Sequence, residues 1–275
     1  MTYRTLTAHL ELGQPNATLL GVAAHLAERF GAGVIGVAAG QPMQVDYSAG
    51  YPCEPLIEQD RAQKAHEVQR AEAEFRAALQ GRAAWLDWRA AVVTGSLSGY
   101  LAEEARRADL VLTGVTSGAV LDASRRTAVS GLVMELGRPM LLVPPGLQGL
   151  GLQRIVIGWR ETRESRRAAA DALPLLRQAA YVGVAEIVGE QELPAARLRL
   201  ADVAAWLRRH GVTAETLPRS AHGDGAAGLG GIAAEQGADM VVAGAYGHSR
   251  LREWALGGVT RNLLLHADRC MFLSH

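Results

Sequence analysis

Lysine is almost absent from this chain: Lys64 is the only one, and every other fixed cation is an arginine. That excludes a phosphate-gripping lysine in the second half, and Schiff-base chemistry there with it. Cysteine is nearly as scarce, with Cys53 and Cys270 alone. Two thiols are too few for a disulfide framework, which fits a reducing compartment. No apolar run is long enough to span a bilayer. The opening Met-Thr-Tyr-Arg-Thr-Leu lacks the apolar centre of a signal peptide, so a soluble cytoplasmic protein with no membrane partner is expected. Net charge is missing too, at +0, and nothing draws the chain toward nucleic acid. His210, His222, His248, His266 and His275 are scattered without a metal-binding spacing, so no metal site is expected in the protein itself.

What the chain does have is alternation. Its 275 residues suit two domains, or one large one, and a hydrophobic content of 49% supports a real core. Strands are expected at 5–10, 33–39, 88–94, 109–113 and 140–143, with helices at 16–30, 58–80, 97–107 and 129–136 between them. In the first helix Leu19, Val22, Ala23 and Leu26 fall on one face, and Gly31 stands where a helix ends. Residues 144–152 are rich in Pro, Gly and Leu and carry no periodicity. The order then restarts, with strands at 154–159, 182–188, 212–217, 240–243 and 270–273. Helices are expected at 164–178, 195–210 and 226–236, with another ending at 265; Pro174 should bend the first of these.

The restart is a repeat. Ala108-Asp-Leu-Val-Leu-Thr-Gly returns 130 residues later as Ala238-Asp-Met-Val-Val-Ala-Gly, and Met140 pairs with Cys270 at the same offset. At the front, Thr5-Leu6-Thr7 lines up with Ile155-Val156-Ile157 at an offset of 150, so the first half holds 20 more residues, most of them in the loop at 40–55. The domains expected are 1–146 and 153–275, joined by a linker at 147–152. Strand and helix in alternation predict parallel sheets with helices on both faces.

One stretch of the second half carries chemistry. The strand Met240 to Ala243 runs into Gly244 and Gly247; Gly257 and Gly258 follow after nine residues, then Val259, Thr260 and an apolar helix. Glycine lets a backbone approach a ligand closely, and a helix start adds free N–H groups and a positive dipole end, so the pattern points to phosphate binding. The same glycines also suit turns and tight helix–strand packing. No Gly-Lys-Ser/Thr follows, so this is not a Walker loop, and the glycines are too far apart for a Rossmann fingerprint.

The spacing resembles the nucleotide loop of the universal stress protein family, Gly-x2-Gly-x9-Gly-(Ser/Thr). Gly258 stands where that family has Ser or Thr, and Thr260 supplies a hydroxyl one turn into the helix. The resemblance extends over nearly the whole chain as a tandem pair of the bacterial type, helped by the run from Arg163 and the ending Met-Phe-Leu-Ser-His. It implies, for each half, a five-stranded parallel sheet of order 3-2-1-4-5, the adenine nucleotide alpha hydrolase-like α/β fold. It implies ligand at the strand ends where that order reverses. It also implies pairing through the last strands, so that 140–143 and 270–273 would join the halves as an internal pseudo-dimer; whole chains could pair as a homodimer.

As ligand the resemblance implies ATP or AMP, in the second half only, with Mg²⁺ accompanying ATP, and a stress-response role exercised by ligand-dependent recognition. The binding residues would be Gly244, Gly247, Gly257, Gly258, Val259, Thr260 and Arg160. Arg160 is a departure: many nucleotide-binding members have an acid just after the first strand. An arginine removes an acceptor for ribose and adds a fixed charge for phosphate. In the first half Gly114-Val-Thr-Ser117 replaces Gly244-Ala-Tyr-Gly247, and Gly118 and Gly131 do not keep the spacing, so that loop reads as degenerate. Ala185, Glu186 and Ile187 are candidates for a base slot, or simply strand core.

Two rivals stand beside this binding module. One is a tandem scaffold that has lost nucleotide. The other is a slow ATP hydrolase, which needs a base and a metal-holding carboxylate near the loop. Glu253 and Asp239 are the only acids close in sequence, and Asp239 opens the strand at its far end. Catalysis is therefore not expected.

Overall fold

The computed structural model describes residues 2–42, 54–114, 129–147, 151, 153–221, 225–245 and 269–275. In the first half β1 (Thr5–Leu10), α1 (Ala17–Phe30), β2 (Gly33–Gly40), α2 (Glu54–Leu79) and β3 (Leu86–Val92) are followed by α3 (Leu97–Glu104), β4 (Leu110–Gly114), α4 (Val129–Leu136) and β5 (Met140–Val143). The second half has β6 (Arg154–Gly158), α5 (Arg163–Asp171), α6 (Leu173–Leu176), β7 (Tyr181–Val188), α7 (Leu193–Arg209), β8 (Glu215–Ser220), α8 (Gly225–Glu235), β9 (Met240–Gly244) and β10 (Cys270–Ser274).

The strands form one sheet of ten, in the order β3-β2-β1-β4-β5-β10-β9-β6-β7-β8. Each half has the expected 3-2-1-4-5 order with parallel neighbours. The halves meet where β5 pairs antiparallel with β10, setting Leu142 opposite Met271 and Met140 opposite Leu273. All four residues of β5 and all of β10 are buried, so this seam lies inside the molecule.

Helices cover both faces because strands flanked on both sides must bury both sets of side chains. On one face α1, α2, α5, α6 and α7 share a single apolar core drawn from both halves, with Leu26, Phe75, Leu175, Leu200 and Phe272 among its members. On the other, α3 and α4 pack over β2, β4, β5 and β10, and α8 packs over β6, β7 and β9.

Most boundaries agree with the periodicity, and the differences have local causes. β8 starts at Glu215, not Val212, because Val212 still caps α7: its N–H donates to the Leu207 carbonyl at 3.0 Å, just past Gly211 at φ 80°. The expected helix over 164–178 is broken at Ala172 into α5 and α6, since Pro174 has no N–H to continue it. The repeat also shifts by one residue. Leu6 pairs with Leu110 as Ile155 pairs with Met240, so Leu6, not Thr5, is the counterpart of Ile155. The front offset is therefore 149, and Glu11 is the counterpart of Arg160.

Candidate functional site

In the second half β6 is flanked by β9 on one side and β7 on the other. Chains leave these neighbouring strands in opposite directions, which opens a crevice at the carboxyl ends of the strands. β6 delivers Trp159, whose N–H donates to the Ala185 carbonyl at 2.7 Å, and then the exposed Arg160. Thr162 caps α5 by accepting from the Ser165 N–H at 3.3 Å, and the Arg160 N–H donates to the Ser165 hydroxyl at 3.2 Å. The start of α5 is thus tied to the end of β6.

Gly244 closes β9 at the same edge. A Cβ there would lie 2.5 Å from the Glu164 carbonyl carbon and the Ser165 nitrogen, closer than real atoms approach. Packing of β9 against α5 therefore accounts for this glycine by itself. Gly247, Gly257, Gly258, Val259 and Thr260 lie outside the described residues, as do Glu253 and the helix expected to end at 265.

Two polar atoms of this region are buried without a hydrogen-bond partner, the Trp159 indole Nε1 and the Glu164 carboxylate Oε2. Glu164 is 2% exposed, and its other oxygen accepts from Arg163 Nε at 2.5 Å. Burial pushes this carboxyl up, but the Arg163 bond, its own backbone N–H and the Thr162 hydroxyl together hold it below the ordinary carboxylate value. Sequence reasoning missed Glu164 because β7, α7, β8 and α8 separate it from Gly244 along the chain. Its neighbour Ser165 in the run from Arg163 gave no signal beyond an ordinary helix start.

Asp239 is placed at the opposite edge, as its position in the strand suggested. Its carboxylate accepts from the Gln153 and Arg154 N–H groups at 2.8 and 3.3 Å and so opens β6. Asp109 does the same for Arg4 and Thr5 at 2.7 and 2.9 Å. The suggested base slot is engaged in packing. Glu186 is 4% exposed and forks with Arg199, at 3.0 Å to Nε and 2.8 Å to Nη2. Ile187 Cδ1 lies 2.9 Å from where a Cβ of Gly228 would be, which fixes Ile187 against α8. Among the described residues no three His, Cys, Asp or Glu side chains converge as a metal site, and no helix is long and apolar enough to cross a membrane. Burial pushes the Cys270 thiol up to about 12, which leaves it unreactive.

The first half has a crevice at its own reversal point. A cleft of about 310 Å³ lies over the ends of β1, β4 and β5, bordered by Glu11, Gln14, Asn16, Thr18, Gly114 and Pro144. Asn16 precedes α1 without capping it. Its amide instead accepts from the Glu11 N–H at 3.0 Å and donates to the Glu11 and Gln14 carbonyls at 3.1 and 3.0 Å. Each half thus keeps one of two attributes: an acid after the first strand in the first half, the spaced glycines in the second.

The family model described as universal stress protein family matches residues 152–271. No curated protein matches the sequence. Among solved structures, a universal stress protein from Archaeoglobus fulgidus DSM 4304 superposes with a TM-score of 0.73 at 10% identity, covering 98% of this chain and 95% of its own. A functionally unknown protein from Pseudomonas aeruginosa PAO1 has a TM-score of 0.59 at 15% identity, over 99% and 92% of the two chains. A putative universal stress protein from Pseudomonas aeruginosa UCBPP-PA14 gives the same score and identity over 99% and 93%. At these identities the likeness establishes the fold of both halves and not their ligands.

Proposed function

We propose that this protein is a universal stress protein and a receptor for an adenine nucleotide, ATP or AMP, held by its second half, the part whose residues 152–271 match the family model. The observation that carries this reading is the edge of the sheet at which β9 ends. The glycine-spaced segment leaves β9 where strand order reverses, beside the capped start of α5, which is where open α/β sheets take ligands. In this reading the backbone amides of Gly247, Gly257, Gly258 and Val259 would ring the phosphates, with the Thr260 hydroxyl as a further donor and the Arg160 guanidinium as a fixed charge. Mg²⁺ would accompany ATP and offset part of its charge. Occupancy then adjusts shape or partner choice in a cytoplasmic stress response, and no chemical step is required.

Calorimetry with ATP and AMP, with and without Mg²⁺, tests this. One nucleotide per chain is expected, with binding lost in Gly247→Val while the circular dichroism spectrum is retained. Silence at millimolar ligand would leave the scaffold reading. Two nucleotides per chain would bring the first-half cleft into use. Phosphate release that disappears in Glu253→Ala would favour the hydrolase.

A further inference from the structure

We propose that the cleft of the first half is a separate binding site, one that takes a free α-amino acid with an apolar side chain. This stands independently of the nucleotide reading of the second half. The cleft exists because the halves differ in one connection. In the second half α5 begins at Arg163, three residues after Arg160, and its start packs on Gly244, where a Cβ would meet backbone at 2.5 Å. In the first half α1 begins at Ala17, six residues after Glu11. A Cβ on Gly114, the counterpart of Gly244, would meet no described atom within 4 Å. The space that α5 fills in one half is open in the other, and the cleft of about 310 Å³ lies there, between the start of α1 and the ends of β4 and β5.

The walls narrow what the cleft takes. Pro15, Leu19, Val143 and Pro144 give it an apolar side, which suits a hydrocarbon group. Glu11 borders it with a carboxylate, which suits an ammonium group. The start of α1 supplies the opposite charge. Its ladder opens with the Leu20 N–H donating to the Asn16 carbonyl at 2.9 Å, so the N–H groups of Ala17, Thr18 and Leu19, all bordering the cleft, have no acceptor within the helix. The Asn16 side chain is turned to Glu11 and Gln14 and does not cap them, and no acid stands in the first turn. These groups suit a carboxylate. A plain cation would face the positive end of α1, and a plain anion, a polyphosphate above all, would face Glu11. A molecule with ammonium and carboxylate on one carbon meets both, its side chain lying on the prolines. The volume stands at the small end of small-molecule sites.

The test titrates L-leucine, L-valine and L-phenylalanine into the full chain by calorimetry, beside 3-methylbutylamine, which is leucine without its carboxylate, and 4-methylpentanoate, which is leucine without its ammonium. At least one amino acid should bind at one per chain, and L-leucine should exceed both analogues about tenfold or more, as a hydrogen bond to a charged group provides. Glu11→Gln should weaken L-leucine about tenfold and leave 4-methylpentanoate no weaker. Gly114→Leu, which fills the open space, should abolish amino-acid binding while ATP binding in the second half is kept; thermal melts confirm that both variants fold. No heat from any of the three amino acids at 10 mM would overturn the inference, as would equal binding of L-leucine and either analogue; these arms need no variant. Amino-acid binding that survives in a folded Gly114→Leu, or a second ATP per chain that displaces L-leucine, would overturn it too. Loss of the nucleotide reading would leave it untouched.

Discussion

Two glycines of this protein show how one residue type answers to different neighbours. At Gly244 an added methyl meets backbone of α5 at 2.5 Å, and backbone within a capped helix start does not move aside. Gly244→Ala should cost about 1–3 kcal/mol through overpacking, read as a lower urea midpoint. At Gly33 the added methyl meets the Trp85 ring at 2.0 Å, but Trp85 is 46% exposed. That ring can swing outward, so Gly33→Ala should cost less than about 1 kcal/mol in the same measurement. A sequence-only argument assigns both glycines to backbone needs and cannot rank them.

His9 adds a titrating group to the core. It is 4% exposed, shares a 2.9 Å hydrogen bond with the Thr113 hydroxyl, and burial pushes its pKa from 6.5 down to about 4. Between those values the unfolded chain binds a proton that the folded protein refuses, so stability falls as pH falls through that interval. The contribution is complete above the unfolded value and lost below the folded one. His9→Gln removes the titration. Its unfolding free energy should drop by about 2 kcal/mol less than that of the wild type between pH 7 and pH 5, at about 1.4 kcal/mol per pH unit below the unfolded pKa.

Among the elements, the strands nearest the seam were the most legible. β4, β5, β9 and β10 read as short apolar runs because both of their faces are buried. β8 was less so: only Leu217 of its six residues is buried, so its pattern is weak and Val212 drew the expected start too early. As an edge strand it also carries Pro218, opposite Glu186. Proline removes a donor from an edge that would otherwise recruit another chain. Pro218→Val should raise self-association, seen as a concentration-dependent increase in sedimentation coefficient, with the monomer fold unchanged. The other edge, β3, is guarded by charge instead, since Asp87 and Arg89 stand on it and pair with each other and with Arg107 and Glu104.

At the scale of the molecule, the two halves share one sheet and one apolar core. The β5–β10 seam, the core shared by α1, α2, α5 and α7, and the Tyr3 hydroxyl donating to the Asp171 carbonyl at 2.7 Å cross the repeat boundary. Neither half can unfold without exposing the seam strand of the other. Urea unfolding should therefore give one transition, with tryptophan fluorescence and far-ultraviolet circular dichroism coincident. Phe272→Ala, which empties a fully buried position beside the seam, should lower that single midpoint by about 3–5 kcal/mol equivalent and not split it. Two separated transitions would show the halves to be independent.

The sequence by itself determined the alternation of strand and helix, the duplication and the sheet type. Those follow from local periodicity and from the short range over which a crossover helix must return to its sheet. It also singled out the glycine-spaced segment, because the spacing of residues along a chain is written directly in the chain. Only the tertiary structure decided that Glu11 and not Leu10 answers to Arg160, because strand register is fixed by pairing between distant segments. The same holds for Glu164 coming to rest under Gly244. Its meaning depends on which atoms are left without partners after folding, and no pattern of neighbours along the chain records that.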